Sequence, residues 1–174
     1  SAHGQFAIGV PTHAGRPYAV VDIVQRHGPL TKAAIYAHYR DGCPRVERAG
    51  RQLRQAVNSA LATLERMKRV EARDEGRRRL ASDVVYRLPE QPWVDPRPSL
   101  GRDLDDVPLS ELAAEILREG AEAVREDSTA LESILKNVAR RYGSLRFRDQ
   151  ARERLTSAAE LAFDAERRAG FGGS

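Results

Sequence analysis

Apolar positions recur with a helical period along most of this chain and with a strand period in two short runs. Tyr18 to Arg26 carries Val20, Val21, Ile23 and Val24 and stops at Gly28-Pro29, which predicts a helix with a Gly stop and a Pro just beyond. Lys32 to Tyr39 places Ala34, Ile35 and Tyr39 at helical spacing, with Thr31 as the N-cap. Asp41-Gly42-Cys43-Pro44 breaks the chain. The stripe Leu53, Val57, Leu61, Leu64 and Met67 then predicts a long helix, starting between Val46 and Gly50 and running to about Arg69. Val70 to Arg73 and Val84 to Leu88 read as two strands of a hairpin, separated by Asp74-Glu75-Gly76 and Arg77-Arg78-Arg79.

Beyond residue 90 the pattern changes. Glu90 to Pro98 is a Pro-rich linker that can continue neither a helix nor a central strand. Its one Trp, Trp93, is expected to pack the linker onto a domain. Three further helices follow. One starts near Pro108 and carries Leu112, Ile116 and Leu117 to about Arg125. A second is capped by Asp127 or Ser128, turns Leu131, Ile134, Leu135, Val138 and Tyr142 inward, and ends at Gly143. The third runs from about Phe147 to Arg168.

These elements predict a mainly α protein: a winged helix-turn-helix with a β-hairpin wing, followed by a second, wingless trihelical unit. The expected organisation is a flexible arm over 1–16, the winged-helix domain over 17–90, a linker over 91–107, the second helical domain over 108–169 and a tail over 170–174.

Composition narrows the classes. Hydrophobic residues at 41% and charged residues at 31% suit a folded domain rather than a disordered chain. No apolar run approaches the roughly 20 residues of a membrane helix. The start, Ser1-Ala2-His3-Gly4, lacks an initiator Met and the basic and apolar blocks of a secretion signal, so the chain reads as a piece of a longer protein. Cys43 is the single cysteine, which rules out an intrachain disulfide and makes a cytoplasmic location the default. The four His residues lack metal-ligand spacing, so neither a metal nor another cofactor is expected.

Net charge is +4, but residues 1–100 carry 17 Lys and Arg against 10 Asp and Glu, while residues 101–174 carry 12 against 15. A polyphosphate partner should therefore meet the first half.

Phosphate loops of the Walker type and a nucleophile elbow are absent from the sequence, and the acids Asp103, Asp105, Asp106, Glu126 and Asp127 have no strand scaffold, so no enzyme is expected. In a helix-turn-helix the start of the second helix faces base edges. Here those positions are Arg48, Arg51, Gln52, Arg54, Gln55 and Asn58, and Arg pairs with guanine as Gln or Asn pairs with adenine. Lys32, Arg45 and the triplet Arg77, Arg78 and Arg79 are the expected phosphate contacts. The expected function is non-enzymatic binding of DNA, or of RNA. The alternative is a module that binds another domain of its own protein or a homodimer partner.

The chain resembles a bacterial domain of unknown function at the C-terminus of large superfamily I DNA/RNA helicases with restriction-type nuclease modules. The resemblance rests on Tyr18 to Leu88, on Val107-Pro-Leu-Ser-Glu-Leu-Ala-Ala-Glu-Ile-Leu117, on Val138-Ala-Arg-Arg-Tyr-Gly143 and on Ala151-Arg-Glu-Arg-Leu155. It implies an accessory nucleic-acid-binding module of a genome-maintenance or defence protein whose motor lies elsewhere.

Overall fold

The computed structural model describes residues 15–42, 50–76, 78, 80–99, 101–126, 128–144 and 146–171, with 121–126, 128, 129 and 171 described in backbone only. Among these the protein is mainly helical, with a small three-stranded antiparallel sheet. The expected arm falls almost entirely outside the described residues, as do Cys43 and all but Gly50 of the stretch expected to start the long helix.

Helix α1 spans Arg16–His27, with Pro17 in its first turn, where the missing N–H costs nothing. It turns Val20 and Val24 inward. At its end a Cβ on Gly28 would lie 2.6 Å from Gln91 Oε1 and 2.5 Å from the Val24 carbonyl. Glycine is required there because Gln91 caps the helix: its Nε2 donates to the carbonyls of Val24 (3.0 Å) and Gln25 (3.1 Å).

Strand β1 is only Leu30–Thr31 and was invisible to the pattern, being too short to show a period. Thr31 Oγ1 accepts from Ala34 N at 3.1 Å, the anticipated cap of α2, Lys32–Gly42. Helix α2 therefore runs through the expected break at Asp41-Gly42.

Helix α3 covers Gly50–Arg66 and buries Leu53, Val57, Ala60, Leu61 and Leu64. Its end corrects the expectation for Met67, which is 59% exposed and not core. Lys68 takes a left-handed φ of 56°, with Lys68 N bonded to Glu65 O and Arg69 N to Leu64 O, both at 2.9 Å. This left-handed closure, two residues after the helix, ends the helical run, so the stripe stops at Leu64.

Strands β2, Glu71–Asp74, and β3, Val84–Arg87, form the expected hairpin. The sheet order is β1-β3-β2, with Leu30 opposite Tyr86 and Ala72 opposite Tyr86 on the other edge. One hydrophobic cluster joins α1, α2, α3 and the sheet; Ile35, Val57 and Leu61 are at most 1% exposed. Each such burial contributes roughly 1.5–3 kcal/mol.

The second half contains α4 (Leu109–Glu126), α5 (Ser128–Arg141) and α6 (Asp149–Phe171). Helix α4 breaks at Gly120, which the pattern did not anticipate, and α6 continues through Gly170, where a tail was expected. Helix α5 ends as anticipated, with Gly143 at φ 75° and Ser144 N bonded to Ala139 O at 3.0 Å. A second cluster, with Leu112, Ile116, Val138 and Leu155 completely buried, lies among these helices. Small residues Ala158, Ala159 and Ala162 let α6 run close along α4.

Candidate nucleic-acid interface

Amphipathicity of α3 decides what it offers to solvent. With the apolar stripe turned onto α1 and α2, Arg51, Gln52, Arg54, Gln55 and Asn58 are all exposed. Neither Arg51 nor Arg54 makes an ion pair among the described residues, so their charge is uncompensated there. Arg45 and Arg48 lie outside the described residues.

Two tyrosines that the sequence reading passed over link this face to α2 and the sheet. Tyr36 Oη donates to Asn58 Oδ1 at 2.6 Å. Burial raises the Tyr36 phenol above its ordinary pKa, while the bond to Asn58 and the nearby Arg54 charge pull it back. One helical turn earlier, Lys32 holds its Nζ 5.8 Å from the ring centroid of Tyr86. Tyr86 is buried on β3, and that burial raises its phenol, with Glu65 adding to the shift. Lys32, Tyr36, Asn58 and Arg54 thus form one polar strip across α2 and α3. The signal for Tyr36 was its position four residues after Lys32 on the same helical face.

The hairpin loop is placed differently. Arg77 and Arg79 lie outside the described residues, and Arg78 forms an ion pair with Glu153 of α6. Beneath it, Gly76 lies so close to the Asp83 carboxyl that any Cβ would overlap it. Arg154 secures the loop from the second half. Its Nη2 donates to the carbonyls of Ser82 (2.9 Å) and Val107 (2.5 Å), and its Nε to Leu104 O (2.8 Å). The side chain is only 5% exposed, and burial disfavours its charge, which the carboxylates of Asp105 and Asp83 offset. Between loop and α6 lies a cleft of about 820 Å³ whose carboxylates include Asp83, Asp149, Glu153, Glu160 and Asp164. Arg78, Arg152 and Arg154 line the same cleft.

The segment 91–107 is pinned at several points, among them Gln91, Trp93, Arg97 and Arg102. Trp93 lies against the guanidinium groups of Arg73 and Arg87, 4.6 and 4.2 Å from its ring centroid. This packs the segment onto the sheet. Arg102 makes two bonds to the buried Glu111, at 2.6 and 3.0 Å, and Arg97 donates to the carbonyls of His27 and Pro29.

Of the acids considered for metal chemistry, Asp127 and the Glu126 side chain lie outside the described residues, and Asp105 serves the same junction. Asp105 accepts from Gln150 at 3.2 Å through its side chain and from Thr31 Oγ1 at 3.2 Å through its carbonyl. Burial, then Asp103 and Asp105, push the Asp106 carboxyl above its usual range. Among the described residues no group of three or more His, Cys, Asp or Glu is placed to hold a metal ion.

Compared with protein-family profiles, with curated proteins and with solved structures, the chain matches none.

Proposed function

We propose that the first half is a winged helix-turn-helix and that the chain is a non-enzymatic nucleic-acid-binding module, with duplex DNA as its ligand and α3 as the helix in the major groove. The element order α1-β1-α2-α3-β2-β3 with sheet order β1-β3-β2 supports the fold reading. The observation that carries the function is the outer face of α3. Arg51, Arg54, Gln55 and Asn58 are exposed together, the two arginines are free of ion pairs among the described residues, and Lys32 stands beside them to meet phosphate. Those residue types suit base edges and backbone oxygens.

Arg78 carries less of this role than the sequence pattern suggests, because Glu153 already engages it and the loop around it leans on an acidic cleft. The helix is the reader and the hairpin is chiefly its support. A place within a larger genome-maintenance or defence protein accords with the resemblance to helicase-terminal domains, and the second helical unit then docks the module within its own protein.

Fluorescence anisotropy with labelled duplex, single-stranded and forked DNA at low salt tests the reading. Binding that weakens steeply with salt is expected. Absence of binding to every probe would rule it out in favour of a protein-interaction module.

A further inference from the structure

The second half is acidic as a whole, yet its charge is strongly segregated. Residues 136–152 carry six Lys and Arg against a single Asp. Arg141 is consumed internally, its Nη1 bonded to Glu115 Oε1 at 2.6 Å. The others surround the turn between α5 and α6 and point to solvent.

Side-chain contacts bring two of these cations together. Lys136 and Arg152 converge on one carboxylate oxygen of Glu132, at 3.7 and 3.2 Å. Arg152 also lies over the Phe147 ring, 4.7 Å from its centroid, and Phe147 packs on the second core. Arg146 and Arg148 flank Phe147 and are exposed; Arg140, one turn beyond Lys136 on α5, is exposed as well. Arg140, Arg146 and Arg148 have no ion-pair partner among the described residues. The Arg152 guanidinium is held by its stacking on the anchored Phe147 ring, while Arg140, Arg146 and Arg148 leave their charge open to solvent.

We propose that this α5–α6 junction is a second phosphate-contacting surface, which takes the phosphodiester backbone of the nucleic acid held by α3. The inference rests on the reading of the first half as a nucleic-acid binder. It extends the contact surface into a region whose net charge argues against it. Backbone contact fits the chemistry better than base readout, because the turn presents guanidinium groups without the Gln and Asn residues of α3.

The test uses the full chain and a fluorescein-labelled duplex titrated between about 50 and 200 mM salt. The triple variant Arg140→Gln, Arg146→Gln, Arg148→Gln should bind roughly tenfold more weakly, with the slope of log affinity against log salt reduced by about 2 to 3. Lysine at the same three positions should retain most affinity, since phosphate accepts a point charge. A Gln triple variant that binds like the wild type, beside an Arg51→Gln, Arg54→Gln variant that does not, overturns the second surface and leaves α3 in place. An equal loss per charge in Arg118→Gln, Arg168→Gln, which are exposed elsewhere, overturns it too, as a general charge effect. If the triple variant weakens binding of polyglutamate as much as of the duplex, the patch belongs to an acidic protein partner instead. A wild-type chain that binds no nucleic acid removes both readings.

Discussion

Tyr36 on α2 and Asn58 on α3 are joined by a 2.6 Å hydrogen bond on the surface the two helices share. The bond ties the Asn58 carboxamide through its oxygen and leaves its NH2 group without a hydrogen-bond partner among the described residues. An amide held this way presents donors to an acceptor edge or a phosphate, and needs no ordering when the ligand arrives. Tyr36→Phe keeps the ring and deletes the tie. Stability should fall by under about 1 kcal/mol, while duplex affinity drops several-fold. Melting curves and anisotropy on one preparation separate the two effects. Unchanged affinity in Tyr36→Phe beside a clear loss in Asn58→Ala would show that the amide needs no anchor.

Arg154 should be among the residues least tolerant of change. Truncation to Met leaves the carbonyls of Ser82, Leu104 and Val107 without its N–H donors and Asp83 without its charge partner. A loss of roughly 3–5 kcal/mol is expected, which lowers the thermal midpoint by about 10 °C or more. Arg154→Lys should recover little, because one ammonium cannot span three divergent carbonyls. Circular dichroism melts measure both; a Met variant as stable as the wild type would mean the junction repacks.

Acid should weaken the fold through His27. Its ring stacks on His38 with centroids 4.0 Å apart. Burial first, then the charges of His38, Arg97 and Arg26, lower its pKa from the ordinary 6.5, against the opposing pull of Asp22. The folded state therefore binds this proton less tightly than the unfolded chain. The stabilisation is complete above the unfolded pKa and is lost as pH falls through the lower, folded value. Urea midpoints between about pH 7 and pH 5 should fall more for the wild type than for His27→Gln; parallel profiles would assign the acid sensitivity to other groups.

Lys68 closes α3 in the left-handed region, with φ 56°. Glycine adopts that conformation freely, so Lys68→Gly should raise stability by roughly 0.5–1 kcal/mol, or about 1–4 °C in thermal midpoint. The residue is exposed and its removal creates no cavity. A lower midpoint would place a role on the Lys68 side chain itself.

Local physics is legible in the sequence. The Leu53-Val57-Leu61-Leu64 stripe selects which face of α3 is buried, and so which face carries Arg51, Arg54, Gln55 and Asn58 outward. Thr31 caps α2 and Gly143 ends α5 because both signals act within a few residues. Met67 misled for the same reason: it continues the helical period, but the helix ends at Arg66, just ahead of the left-handed closure at Lys68.

What joins the halves had no comparable signature. Arg154 meets carbonyls 47 to 72 residues away, and Thr31 meets Asp105 74 residues away. In sequence Arg154 is one more arginine on a polar helix, and residues 91–107 are a Pro-rich linker. Hydrophobic periodicity is written in neighbouring residues, so the sequence alone determined the helices, the hairpin and the exposed face of α3. A buried charge is stable only where distant groups converge on it, so the tertiary structure alone decided that the linker is a strap, that the hairpin leans on α6, and which arginines remain free.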